Sequence, residues 1–102
     1  MKFGLQDEII KKIKNIFEKY KNIEKIYIYG SRAKGTNTRT SDIDLAVCGK
    51  NFKELSKLRS ELDDLSIIYT IDLVHLDNLE NEKLISQIKK YGKIFYKYTA
   101  HH

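Results

Sequence analysis

Residues 30–47 read GSRAKGTNTRTSDIDLAV, and the last six of them, DIDLAV, decide how the rest of the chain is read. Asp42 and Asp44 are two positions apart, and in a strand residues i and i+2 point to the same face. Ile43, Leu45 and Val47 then point to the opposite face, into a core. The apolar pattern itself therefore projects both carboxylates outward together. Two carboxylates this close repel one another unless a cation sits between them. Oxygen ligands on a rigid strand suit Mg²⁺, which is held by a few carboxylates plus substrate phosphates.

Upstream, EKIYIY (24–29) is rich in β-branched and aromatic residues and reads as a strand that stops at Gly30. Glycine lets the backbone come close to a phosphate. Backbone N–H groups and the Ser31 hydroxyl are then candidate ligands for phosphate oxygens. Arg32, Lys34 and Arg39 bracket the same loop with positive charge, and Arg32 is a candidate nucleotide ligand. Gly35 lets the chain turn away, and TNTRTS is polar and loop-like. Tyr27 and Tyr29 alternate with Ile26 and Ile28 and call for no further role.

Downstream, IIYTIDLVH (67–75) reads as a third strand. Asp72 sits among Ile71, Leu73, Val74 and Leu76, where a charged residue needs a reason. Placed beside residues 42–48, it would join Asp42 and Asp44. Three carboxylates can hold two metal ions about 3.5–4 Å apart, a pair that stabilises both the attacking and the leaving oxygen of a phosphoryl displacement. His75 falls on the opposite strand face and reads as packing or surface. A lone DxD or a lone Gly-Ser is a weak signal. Together, between two strands, they outweigh the plain alternative of a glycine turn followed by two solvated aspartates.

Around this centre, residues 5–21 show apolar positions at spacings of three and four (Leu5, Ile9, Ile13, Ile16, Phe17, Tyr20) and predict an amphipathic helix. Residues 51–65 predict a second, with Asn51 as N-cap. Asn78 or Asn81 starts a third that runs to Tyr91, and Gly92 stops it. KIFYKY (93–98) reads as an edge strand or a terminal helical turn. The order α, β, β, α, β, α predicts an α/β (α+β) fold. It has a mixed sheet of three or more strands with helices packed on one face, the other face being left for a ligand.

The 102-residue length corresponds to one domain, drawn at 1–98 with a disordered or tag-derived tail at 99–102. The composition, 41% hydrophobic and 32% charged without proline, is that of a globular chain. One cysteine, Cys48, excludes a disulfide framework and a cysteine metal site. No apolar run approaches the ~18 residues of a membrane span and no signal peptide is evident, so a cytoplasmic location is expected. The net charge of +5 can attract nucleotides. The lysines are scattered among acids, however, which argues for a solvated surface rather than direct nucleic-acid binding.

Residues 30–47 resemble the glycine-serine and DxD motif of the DNA polymerase β superfamily of nucleotidyltransferases. The short length makes the chain most similar to the minimal nucleotidyltransferases that serve as antitoxins of HEPN toxins. The resemblance runs from the strand at 24 through the strand at 75. It implies the nucleotidyltransferase core, a triphosphate held by Gly30 and Ser31, and two Mg²⁺ ions on Asp42 and Asp44. Asp72 completes the triad and helps to activate the acceptor hydroxyl. The implied reaction transfers AMP from ATP to a hydroxyl, a tyrosine of a partner HEPN toxin, in the manner of a type VII-like antitoxin that assembles with its toxin. Alternatives are an antitoxin that neutralises by binding alone, or an enzyme acting on a small molecule or a nucleic-acid end. Larger relatives carry a helical domain for the acceptor that these residues lack.

Overall fold

The computed structural model describes residues 1–99; of the expected tail, residues 100–102 lie outside the described part. Ile43, Leu45 and Val47 are fully buried, and the strand that carries them, β2 (Ile43–Cys48), lies inside a four-stranded sheet. Its neighbours are β1 (Lys25–Tyr29), antiparallel, and β3 (Ile71–His75), parallel. A fourth strand, β4 (Lys93–Lys97), pairs antiparallel with the free edge of β1, with a register irregularity at Ile26/Tyr27. The order across the sheet is β3-β2-β1-β4. The sheet is mixed, as expected, and KIFYKY supplies an edge strand rather than a helical turn.

Strand parity divides the sheet into two faces. Ile26, Ile28, Ile43, Leu45, Val47, Ile71 and Leu73 share one buried cluster with α1 (Asp7–Phe17) and α3 (Leu55–Asp63). α1 contributes Ile13, Ile16 and Phe17 as predicted, with Ile10 buried in place of the expected Ile9, which is only partly buried; α3 contributes Leu58 and Leu62. The second face is not bare. Ile88 of α4 (Glu82–Tyr91) packs there against Tyr29 and Ala46, with Tyr27, Val74 and Leu84 around them. Thus α4 covers the part of that face where the outward residues are apolar, and Asp44 and Asp72 stand on the same face beyond it.

Several boundaries are tighter than the periodicity implies, each for a local reason. α1 starts at Asp7 because Lys2 to Leu5 close a tight turn, with Phe3 at φ 56° and Gly4 at φ 71°. α3 starts at Leu55 with no side-chain cap, so Asn51 does not cap it. β3 begins at Ile71 because only residues 71–75 find partners in β2, and Ile68 just before it is 90% exposed. α4 has the predicted cap: the Asn81 side chain accepts from the Leu84 N–H at 3.2 Å. His75 faces the core, where it sits edge-on to Phe52. Its Nε2 lies 2.8 Å from the Gly49 carbonyl and its Nδ1 3.0 Å from the Asn78 amide nitrogen.

Candidate active site

Sheet register brings the acidic residues together. Asp44 is paired directly with Asp72 on β3 and with Tyr29 on β1. Adjacent strands lie about 4.8 Å apart, so the two carboxylates leave the sheet side by side. Asp42 precedes the first residue of β2 and lies two positions, about 6.6 Å of extended chain, from Asp44. Asp42 and Asp72 are exposed and Asp44 is half-buried. The Asp44 carboxyl is held above the ordinary aspartate range, first by burial and then by the charges of Asp72 and Asp42, with Arg32 pulling the other way. Asp42 and Asp72, the other two acids named from the sequence, thus both act electrostatically on Asp44.

Gly30 closes β1 against this cluster. Its φ of 72° and ψ of −152° belong to a region essentially reserved for glycine. A Cβ there would run into the Asp44 carboxylate oxygen. The residue is therefore required twice, once for its backbone and once to leave Asp44 its space. Ser31 opens the short helix α2 (Ser31–Lys34) directly after it, and Gly35 ends that helix at φ 80°.

Tyr29 was passed over in the sequence reading. It stands cross-strand from Asp44, only 9% exposed. Burial, followed by the charges of Asp44 and Asp72, pushes its phenol up to about 12. It is therefore protonated at neutral pH, a neutral wall to an acidic site. No local spacing signals this; the β1–β2 register alone sets Tyr29 beside Asp44.

Arg32 is placed differently from the expectation that it holds phosphate. It is 2% exposed, and its guanidinium is turned inward. Nε and Nη2 both donate to the Ser41 carbonyl, at 3.2 and 2.8 Å. Nη1 donates to the Phe3 carbonyl at 3.0 Å. The group lies 4.9 Å from the centroid of the Tyr69 ring. A side chain committed to backbone carbonyls in this way acts on the acidic site through its field rather than as an outward ligand. Lys34 and Arg39 remain exposed, Lys34 with its ammonium 4.9 Å from the Tyr91 ring.

Among the described residues, no three His, Cys, Asp or Glu side chains are gathered as a metal-holding group. The donor set nonetheless suits a hard divalent cation: all oxygen, with Asp44 and Asp72 on one face of paired strands, Asp42 just ahead of β2, and Gly30 leaving room beside Asp44. Without positive charge between them, three acids splay apart.

The family pattern described as polymerase beta, nucleotidyltransferase, matches residues 11–100, which takes in the C-terminal part of α1 and all four strands. The chain belongs to the polymerase beta nucleotidyltransferase family. No curated protein matches it, but solved structures do. A toxin-antitoxin crystal structure with AMP-PNP is 27% identical at a TM-score of 0.70, covering 92% of this chain and 75% of that one. A candidate nucleotidyltransferase of Sulfolobus solfataricus is 29% identical at a TM-score of 0.54, covering 95% and 89%. The tri-AMPylated Shewanella oneidensis HEPN toxin in complex with MNT antitoxin gives 24% identity and a TM-score of 0.61, covering 92% and 74%; at that identity the likeness is one of fold. As a nucleotidyltransferase of this family, the chain sets its outward acids and its glycine-serine turn on adjoining strand ends. Among the described residues no helix is long and apolar enough to cross a membrane.

Proposed function

We propose that this nucleotidyltransferase transfers AMP from ATP, with Mg²⁺, to a tyrosine hydroxyl of a partner HEPN toxin, and so serves as the toxin's antitoxin. The observation that carries the reading is the pairing of Asp44 with Asp72, with Asp42 at the entrance of the same strand and Gly30 pressed against Asp44. The solved relatives add support: one is a toxin-antitoxin with AMP-PNP, another holds an AMPylated HEPN toxin. Gly30 and Ser31 hold the triphosphate through backbone N–H groups and the hydroxyl. Asp42 and Asp44 are the metal ligands, and Asp72 completes the set and orients the acceptor hydroxyl. When bound, two Mg²⁺ ions would neutralise charge on the attacking and leaving oxygens. The protonated Tyr29 phenol adds no further negative charge.

The test is transfer of label from α-labelled ATP to the HEPN partner in the presence of Mg²⁺. Label on a partner tyrosine, absent with Asp42→Ala/Asp44→Ala, is the expected result. An unlabelled partner that is nevertheless silenced by the Asp42→Ala/Asp44→Ala/Asp72→Ala protein would establish neutralisation by covering instead. The like-charge cost concentrated at Asp44 speaks for catalysis, since a mere cover gains nothing from clustered acids. Labelling of a small molecule or a nucleic-acid end in place of the partner would move the acceptor and leave the chemistry standing.

A further inference from the structure

Of the three acids, Asp44 and Asp72 are fixed by the sheet ladder, while Asp42 lies outside it, at the end of the exposed loop TNTRTS. Something else has to hold it. The residue before it, Ser41, offers its carbonyl to two nitrogens of Arg32, and Arg32 directly follows Ser31 at the start of α2. One side chain therefore spans from the phosphate-holding turn to the loop that delivers Asp42. Its third bond reaches the Phe3 carbonyl in the turn where Phe3 itself adopts φ 56°. Its face rests on Tyr69, three residues ahead of Asp72. The guanidinium thus touches a segment leading to each of two ligands and is itself attached to the third part of the site.

Among the described residues, Arg32 forms no ion pair within 4.0 Å. Burying an unpaired charge is expensive, and an apolar residue would serve stability more cheaply. A lysine would not serve the geometry, because one ammonium lacks the planar fork that grips a single carbonyl twice. We infer that Arg32 is a positioning residue: it fixes the distance between the Ser31 turn and Asp42, and thereby the affinity of the acidic site for its metal. The inference rests on the nucleotidyltransferase reading above, and it assigns Arg32 to the metal side of the site rather than to the phosphates.

The experiment measures Mn²⁺ binding by electron paramagnetic resonance, and ATP binding in EDTA by calorimetry, on wild type, Arg32→Lys, Arg32→Ala and Tyr69→Leu. Outer-shell partners of metal ligands contribute about 10- to 100-fold to affinity. Mn²⁺ affinity is expected to fall by about that factor in Arg32→Ala and by less in Arg32→Lys, with metal-free ATP affinity unchanged. Millimolar guanidinium, refilling the site in Arg32→Ala, restores Mn²⁺ affinity and labelling, while an Asp42→Ala control stays inactive. A purely structural residue would show lowered thermal stability with intact metal affinity, and that result overturns the inference. Loss of metal-free ATP affinity with Mn²⁺ binding intact overturns it too, returning Arg32 to the phosphates. Should Arg32→Ala not fold, Arg32→Lys and Tyr69→Leu carry the same comparison. A wild type that binds Mn²⁺ neither alone nor together with ATP defeats the proposed metal-dependent transfer, and the inference with it.

Discussion

Asp44→Asn should make the metal-free protein more stable while abolishing transfer. Asp44 is half-buried and faces Asp72 across one strand spacing, with Asp42 nearby. Two unit charges about 6 Å apart repel by about 0.7 kcal/mol in water and by about 2.8 kcal/mol at an effective dielectric of about 20. Asp72 is exposed, which moves its share toward the lower value, and Arg32 offsets part of the remainder. The net gain on removing the Asp44 charge is about 1 kcal/mol, which for a domain of this size corresponds to a Tm rise of roughly 4–8 °C. The pH dependence has a defined sign. The folded protein raises the Asp44 carboxyl above its usual value, so folding favours its protonated form. The penalty is absent below the ordinary aspartate range, about pH 3.9, and develops as pH climbs through the raised value. The variant's advantage should therefore be near zero at pH 3 and full at pH 7. Mg²⁺ should reverse the order, since a ligand at 100 times its Kd stabilises by about 2.7 kcal/mol and the variant lacks a ligand for it. Thermal or urea unfolding in EDTA and in Mg²⁺, across pH, reads all of this. An Asp44→Asn protein less stable than wild type in EDTA at pH 7, or one that Mg²⁺ stabilises as much as wild type, would refute the reasoning.

Gly30→Ala meets both a glycine-only backbone region and the Asp44 carboxylate. It should cost about 1–3 kcal/mol in urea unfolding and remove activity even where the protein still folds. Ile13→Ala, at a fully buried α1 position against the sheet, should cost about 2–5 kcal/mol and leave activity unchanged at temperatures where the protein is folded. His75→Leu strips the Gly49 carbonyl of its ring partner. Because the Phe52 N–H still donates to that carbonyl, the loss should destabilise by about 0.5–1.5 kcal/mol, with no change in Mn²⁺ affinity, since His75 faces the opposite side of the sheet from Asp72.

The parts of this molecule that repeat were legible before the fold was known. The two-residue alternation of Ile43, Leu45 and Val47 correctly gave the core face of β2, and with it the outward direction of Asp44. The same parity put Asp72 on the matching face of β3, and the parallel pairing then made them neighbours. Helical spacing found α1, α3 and α4 but overran the ends of the first two, because a run of suitable residues continues past the point where the sheet can receive them. What escaped was non-periodic. Nothing in local spacing says that Arg32 turns inward to the Phe3 and Ser41 carbonyls. Those partners lie 29 and 9 residues away and are backbone atoms, which carry no side-chain signature. Tyr29 was discounted because an alternating aromatic on a strand needs no other explanation. Only the cross-strand register with Asp44 sets it beside the acids.

The register of β2 has a consequence for quality control in folding. A slip of one residue would turn Ile43, Leu45 and Val47 to the water and drive Asp44 into the space between the sheet and α1. The arrangement that builds the core is therefore the same one that assembles the acids. A chain mispaired by one residue gives up its core and its chemistry in a single step. In this chain folding doubles as proofreading: a molecule that has buried Ile43, Leu45 and Val47 has, by that act, already turned Asp44 to the face that carries Asp72.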